Sequence, residues 1–517
     1  MKGNQMTYAQ VHSCTVLGIK APTVTVEVHL ANGLPQFALV GLADTEVREA
    51  RERVRSAIIN SGLEFPTNKR IIVNLAPADL PKESGRFDLA IAIGILVASE
   101  QLDAKAVQQH IFAGELSLSG ELRPVRGALA MALGMQQQMP ALAWVLPAHS
   151  AEEAALLPDA KVFRALHLKN VVQAFALPSQ TKELAPPDDG WVRLQPGWQT
   201  TQSQAQTGPE LQDVRGQAGP KRALEIAAAG GHSLLMIGPP GSGKSMLAQR
   251  MAGLLPLLSQ AQALESAAML SLAGQFHPSR WAKPAYRHPH HSATMAALVG
   301  GGAPPRPGEI SLAHHGLLFL DELPEFSRLA LEALREPLEN GHISLSRARH
   351  QAEFPARFQL IAAMNPCPCG YLGSVQPACR CAPEHVTRYQ SKLSGPLLDR
   401  MDMCVHVPAI PAELLMQACE GESSAVVQQR CQQAHDRAIQ TRGVSNHRLS
   451  AAQLQDLTID TAAERVLQQY AARQAWSARA VHRVLRVAQT IADLAQSQEI
   501  EVTHVMQAMH FRMALKQ

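Results

Sequence analysis

Gly238-Pro-Pro-Gly-Ser-Gly-Lys244-Ser245 decides the fold. It follows the short apolar run Ser233–Ile237 and leads into a helical pattern that begins near Met246. The spacing G-x-x-x-x-G-K-S between a strand and a helix is that of a phosphate loop. Glycines let backbone N–H groups turn inward around phosphate oxygens, and the helix start adds its own free N–H groups. In this arrangement Gly238, Pro239, Pro240, Gly241, Ser242 and Gly243 shape the cradle. Lys244 reaches the β- and γ-phosphates of a bound nucleotide, and the Ser245 hydroxyl is placed to ligate Mg²⁺.

Two further apolar runs complete the pattern. Leu317–Leu320 ends in Asp321-Glu322, and Gln359–Ala363 leads into Met364-Asn365. Short apolar runs bounded by turn residues read as buried parallel strands. Asp321 is expected to hold Mg²⁺ through water, and Glu322 to polarise the attacking water. Asn365, a polar side chain ending a buried strand, can orient that water or touch the γ-phosphate.

The flanking regions differ in character. Residues 7–175 mix strand-like segments (Thr23–Leu30, Arg70–Leu75) with a charged helix at Thr45–Ser61 and a nearly apolar helix at Phe87–Ser99. This predicts an α+β domain over 1–177. Residues 178–210, rich in Pro, Gln, Thr and Ser, read as a linker, with a long surface loop as the alternative. Residues 211–410 form the parallel-sheet core. From 411 to 517 the pattern is helical and poor in Gly and Pro. The fold class is therefore α/β multidomain.

Charge is nearly balanced, 47 Lys+Arg against 44 Asp+Glu in 517 residues, so no global excess announces a polyanion partner. Positive charge must then be local. Arginines concentrate at 341–400 and again at 430–490, where lysine is absent. The opening stretch MKGNQMTYAQVHS lacks an apolar signal core, and the run Leu89–Ala98 is too short to span a bilayer. A cytoplasmic protein without a membrane partner is expected. Four of the eight cysteines fall at Cys367-Pro-Cys369 and Cys379-Arg-Cys381. Four clustered thiolates can close a tetrahedral structural Zn²⁺ site, although the C-x-C spacing is tighter than usual. Reduced thiols in a packing role and redox chemistry are the alternatives.

Together these residues resemble the AAA+ ATPases, with Asn365 at the sensor-1 position. Arg400, in Gly395-Pro-Leu-Leu-Asp-Arg400, matches the arginine finger, and Arg479, in Ser477-Ala-Arg-Ala, matches sensor 2 on a helical lid. Five phrases narrow the resemblance: Asp213–Gln217, His288–Gly308, Asn365–Gly370, Lys392–Asp402 and Val73–Lys82. They are similar to the magnesium-chelatase-like ComM (YifB) family. That resemblance implies a homohexameric, ATP-driven DNA helicase acting on single-stranded or branched DNA. It also implies branch migration in natural transformation, with recombination proteins as further partners. A chelatase-type or protein-remodelling motor is the alternative, and an inactive scaffold is a third.

Residues 7–175 resemble a Lon-protease-like domain. In the aligned phrase Pro81–Asp88, Phe87 stands where the family's serine nucleophile would, and the activating lysine of the second phrase, Gly114–Gly127, is missing. No peptidase activity is expected. The resemblance suggests a ring scaffold or a DNA-contacting collar lined by Lys82 and Arg86, with plain solvated charge as the alternative. For DNA, Ile343–Arg349 followed by Phe354–Ile361 reads as a hairpin with Arg347, Arg349 and His350 at its turn. Arginines placed so would neutralise phosphate without reading bases. The segment 288–302 is the candidate second pore loop. Arg479, Arg483 and Arg486 share a helical face, with Arg479 directed at ATP.

Overall fold

The computed structural model describes residues 7–41, 45–80, 82, 85–177, 190–196, 208–302, 305–346, 351–374, 377–411 and 421–513. The first domain is built on a mixed eight-stranded sheet. Its strands run in the order Trp191–Leu194, Val162–Ala165, Ala143–Pro147, His110–Phe112, Tyr8–Cys14, Thr23–Ala31, Arg70–Ala76 and Gln36–Val40. Thr23–Ala31 alternates buried and more exposed residues with the two-residue period of a half-buried strand. The Asp88–Ala98 helix is buried all round, as its apolar sequence demands. Gly94 lets it lie close on the sheet: a Cβ there would sit 2.6 Å from Val28 Cγ2.

The expected linker is shorter than its composition suggests. Trp191–Leu194 pairs antiparallel with Val162–Ala165, and the Trp191 ring stacks on Phe163 with centroids 5.0 Å apart. This aromatic stack extends the first domain's sheet into a stretch that reads as loop. Lys82 also departs from expectation. It is buried, with its ammonium donating to the carbonyl oxygens of Pro77 and Leu80. Burial pulls its pKa below the usual lysine value, and a side chain so enclosed cannot line a DNA collar.

The central sheet is entirely parallel, in the order Tyr286–Arg287, Leu317–Leu320, Gln359–Met364, Leu234–Ile237, Met403–His406. Its middle strands are buried on both faces. The expected hairpin forms from His342–Ser346 and Gln351–Pro355. Its second arm ends at Pro355, because proline removes a ladder donor, and Gln359–Met364 is a separate strand of the central sheet. The turn carrying Arg347 and Arg349 lies outside the described residues.

The C-terminal region is helical, with long helices at Ser424–Arg442, Thr461–Arg473, Ala478–Leu494 and Val502–Met513. Ser423 and Ser477 cap two of them, each hydroxyl accepting a backbone N–H three residues on. These helices share one apolar core with the central domain, including Ala227, Cys431, Val484 and Val505.

The first domain is joined to the centre by a second continuous core. Leu264, Ala268 and Leu270 of the Gln260–Leu272 helix pack among Leu129, Met131 and Leu157. Buried Ser271 Oγ donates to Glu153 Oε2 at 2.5 Å across this seam. Leu270→Ala should therefore cost about 2–4 kcal/mol by leaving a cavity in the shared core. Denaturant unfolding of the full chain measures this, and a loss below about 0.5 kcal/mol would contradict a packed seam.

Candidate nucleotide site and thiol cluster

Parallel strands place their carboxyl ends on one edge, and in such sheets ligands bind there. Three of the central strands deliver their polar ends to that edge side by side. The Leu234–Ile237 strand opens directly into Gly238–Ser245, and the helix Lys244–Met251 begins inside the loop. Gly241 and Gly243 have φ of +74° and +92°, and a Cβ built on either would meet nothing within 4 Å. The loop's concave side is open at those points. Gly238 is required for another reason: a Cβ there would lie 2.1 Å from the carbonyl oxygen of Val407.

The candidate side chains converge. Lys244 Nζ donates to Asn365 Oδ1 at 3.1 Å and to the carbonyl oxygens of Gly238 and Pro239 at 2.8 and 2.9 Å. Burial lowers the Lys244 pKa, while the carboxylates of Asp321 and Glu322 pull the other way. Ser245 Oγ donates to Asp321 Oδ2 at 2.5 Å. Asp321 Oδ1 accepts the Glu322 backbone N–H at 2.9 Å. Glu322 itself holds a left-handed backbone, φ +51°, an unfavourable conformation for a side-chain-bearing residue and one that gathers at functional sites. The set fits a magnesium-bound nucleoside triphosphate. An open N–H cradle, a buried lysine and a hydroxyl–carboxylate pair face one edge, and Ser242 Oγ is buried without a hydrogen-bond partner among the described residues.

Two contacts at this edge escape sequence reading. His291 Nδ1 lies 3.1 Å from Glu322 Oε2, so the candidate base is held by the segment 288–302. Gln217 Nε2 donates to the carbonyl oxygens of Ser242 and Pro408, at 3.3 and 2.7 Å, tying the phosphate loop to the strand beside it. The His-Pro-His-His run hints at the first contact, and the Asp213–Gln217 phrase at the second.

Arg400 and Arg479 do not join this group. Both line a cavity of about 700 Å³ at the sheet's other, amino edge, with Ser233, Gly316, Gln359 and Asp402, residues at or just before strand starts. A four-residue strand separates the edges by about 13 Å. Arg479 therefore does not point at this chain's phosphate loop. It is exposed, while Arg400 ion-pairs with Glu339 and donates to the Pro396 carbonyl oxygen at 2.7 Å. Arg483 and Arg486 line the same wall.

The four thiols meet beside the phosphate loop. Cys367 Sγ lies 3.4 Å from Cys369 Sγ and 3.6 Å from Cys379 Sγ, and Cys369 to Cys379 is also 3.6 Å. With Cys381, all four sulfurs fall within 4.8 Å of one another. Backbone N–H groups of Arg380 and Tyr371 pull the Cys369 pKa down to about 6.

A second cluster is of another kind. Glu265 Oε2 lies 3.1 Å from His314 Nε2 and 2.8 Å from His315 Nε2. His314 Nδ1 accepts the Arg357 backbone N–H at 3.0 Å, so its Nε2 carries the proton and donates to Glu265. That tautomer makes a hydrogen-bond hub rather than a metal ligand set.

The fold and this edge define an AAA+ protein of the magnesium-chelatase type. The family "Magnesium chelatase, subunit ChlI" matches residues 210–415, "Subunit ChlI of Mg-chelatase" residues 26–150 and "Magnesium chelatase, subunit ChlI C-terminal" residues 421–512. The uncharacterized protein YifB of Salmonella typhimurium is 48% identical over 513 residues, 98% of this chain and 97% of its own. Competence protein ComM of Haemophilus influenzae is 45% identical over 518 residues, 98% of each chain. A weaker match, 23% over 228 residues (40% of this chain and 25% of the relative), is the maternal DNA replication licensing factor mcm6 of Xenopus tropicalis. The chain belongs to the ComM/YifB, magnesium-chelatase-like family.

The histidine hub makes a pH prediction. Burial pushes the His314 pKa down to about 4 from 6.5, which favours the neutral ring in the fold. Its contribution is complete above about pH 6.5 and is lost as pH falls towards 4, by up to about 3 kcal/mol. Denaturant titrations at pH 7 and 4.5 should show a smaller acid loss in His314→Asn than in the unaltered chain. Equal losses would contradict a buried neutral ring.

Proposed function

We propose that this chain is an ATP-hydrolysing motor that assembles as a homohexameric ring and translocates on single-stranded or branched DNA. In this reading it drives branch migration of recombination intermediates during natural transformation, in the cytoplasm and alongside recombination proteins. The observation that carries it is the hydrogen-bonded meeting of Lys244 with Asn365 and of Ser245 with Asp321 at one sheet edge. A full-length relative named as a competence protein, and a partial one named as a DNA replication licensing factor, support the nucleic-acid side. Among the described residues, no helix is long and apolar enough to cross a membrane.

The chemistry follows from the side chains. Lys244 steadies the β- and γ-phosphates, and the loop's N–H groups hold their oxygens. Ser245 and Asp321 would hold Mg²⁺, which supplies charge neutralisation on the phosphates. Glu322 accepts the proton of the attacking water, with His291 fixing its carboxylate, and Asn365 reports the γ-phosphate. Arg400 and Arg479, on the opposite edge, serve ATP on the neighbouring subunit, so each site is complete only in the ring. Arg347 and Arg349 at the hairpin turn contact DNA phosphates. The cysteines hold one structural Zn²⁺. The first domain, a Lon-protease-like fold without peptidase chemistry, is a ring scaffold. Buried Phe87 in the place of a nucleophile supports that.

ATP turnover measured with and without single-stranded DNA, together with unwinding of forked substrates, tests this reading. DNA should raise turnover several-fold and forks should open. Turnover indifferent to DNA, with no unwinding by the assembled ring, would point instead to a chelatase-type or protein-remodelling motor, as the family's name allows. Glu322→Gln should retain ATP binding and assembly and lower turnover by about 10²-fold or more. Turnover that survives would reject Glu322 as the base.

A further inference from the structure

The thiol cluster is joined to the phosphate loop at two points. Cys367 follows Asn365 by two residues, and Asn365 Oδ1 accepts the Lys244 ammonium. Gly370, between the two halves of the cluster, stands directly over the loop: a Cβ there would fall 2.4 Å from Pro240 Cδ and 2.7 Å from Pro240 Cγ. Its φ of +84° completes the tight turn that returns its N–H to the Cys367 carbonyl oxygen at 2.9 Å. On the far side, Gln390 Nε2 donates to the Pro366 carbonyl oxygen at 3.1 Å, from the helix Pro383–Gln390 that follows Cys381.

Sulfur geometry fits Zn²⁺. Four thiolates around Zn²⁺ at about 2.3 Å stand about 3.8 Å apart, close to the 3.4–3.6 Å measured here. Cys367 is fully buried, and the Cys381 N–H points at Cys379 Sγ at 3.5 Å, the kind of N–H···S bond that orients metal-bound thiolates. Four sulfur ligands leave no open position, so the metal's role is to hold shape. What it holds is the stretch 365–374, pressed on Pro240 at Gly370 and joined to Lys244 at Asn365.

We propose that Zn²⁺ bound by Cys367, Cys369, Cys379 and Cys381 clamps this segment onto the phosphate loop, so that metal loading sets the chain's affinity for nucleotide. The proposal rests on the ATPase reading above. Without metal, no covalent or coordinate link closes the segment, and Gly370 and Asn365 lose their fixed positions against Pro240 and Lys244.

The test uses the full-length chain carrying Glu322→Gln, so that bound ATP persists. Elemental analysis should give about one zinc per subunit. Stripping the metal with a chelator should weaken binding of a fluorescent ATP analogue at least tenfold, and returned Zn²⁺ should restore it. Circular dichroism establishes that the stripped chain is folded. Gly370→Ala provides the second arm, because its methyl would be driven into Pro240 while the four thiols remain. That variant should keep its zinc and lose nucleotide affinity. A folded chain without zinc would overturn the proposal. So would unchanged nucleotide affinity after stripping, or in zinc-loaded Gly370→Ala. A zinc-loaded parent chain that binds no nucleotide would overturn the ATPase reading, and the clamp with it, while leaving the metal assignment standing.

Discussion

The polarity of the five-stranded parallel sheet is the constraint on which the rest of this structure depends. Because all five strands point the same way, the phosphate loop, Asp321-Glu322 and Asn365 must emerge at one edge, and Ser233, Gly316 and Asp402 at the other. No side-chain adjustment can bring Arg400 or Arg479 across a buried strand to the loop of the same chain. In the proposed mechanism Arg400 and Arg479 therefore add their charge, beside that of Lys244, to ATP held by another molecule. The proposed ring agrees with this strand direction, the basic cavity at the amino edge being the face that it would offer to a neighbour.

The same sheet explains how distant parts can influence the reacting edge. The Leu317–Leu320 strand carries Asp321-Glu322 at one end and is preceded by His314 and His315 at the other, where Glu265 pins them to the Gln260–Leu272 helix. That helix forms the seam with the first domain. On the acidic side, His291 grips Glu322 from a segment whose Gly300 backs onto Leu345 of the hairpin. The hairpin, the candidate base and the first domain are thus linked through packed and hydrogen-bonded groups.

The nucleotide edge was largely legible in the sequence because it is written in local signals: uninterrupted apolar runs ended by Lys, Asp-Glu or Asn. Two boundary errors have equally local causes. Phe354–Ile361 looks continuous, yet Pro355 separates the hairpin arm from the core strand. Trp191–Leu194 is too short to stand out among its Pro and Gln neighbours, and pairing with Val162–Ala165 settles it. The Arg479 motif gives a position on the lid and not the lid's place relative to the sheet, so its distance from this chain's own phosphate loop is visible only in the fold. Lys82 was misread because burial is a tertiary property. The histidine run only hints at His291 on Glu322, and no pattern points to Gly370 on Pro240, since each contact joins residues on different elements.

The central claim, that every ATP site is built from the carboxyl edge of one subunit and the amino edge of the next, is tested most directly by mixing two inactive chains. Lys244→Ala removes the phosphate ligand and keeps Arg400; Arg400→Ala does the reverse. Each should hydrolyse ATP at background rate alone. Mixed in equal amounts and allowed to exchange subunits, about a quarter of the interfaces regain both groups, and ATP turnover should recover in proportion. Turnover that stays at background in mixed rings, or an Arg400→Ala chain fully active by itself, would contradict the account.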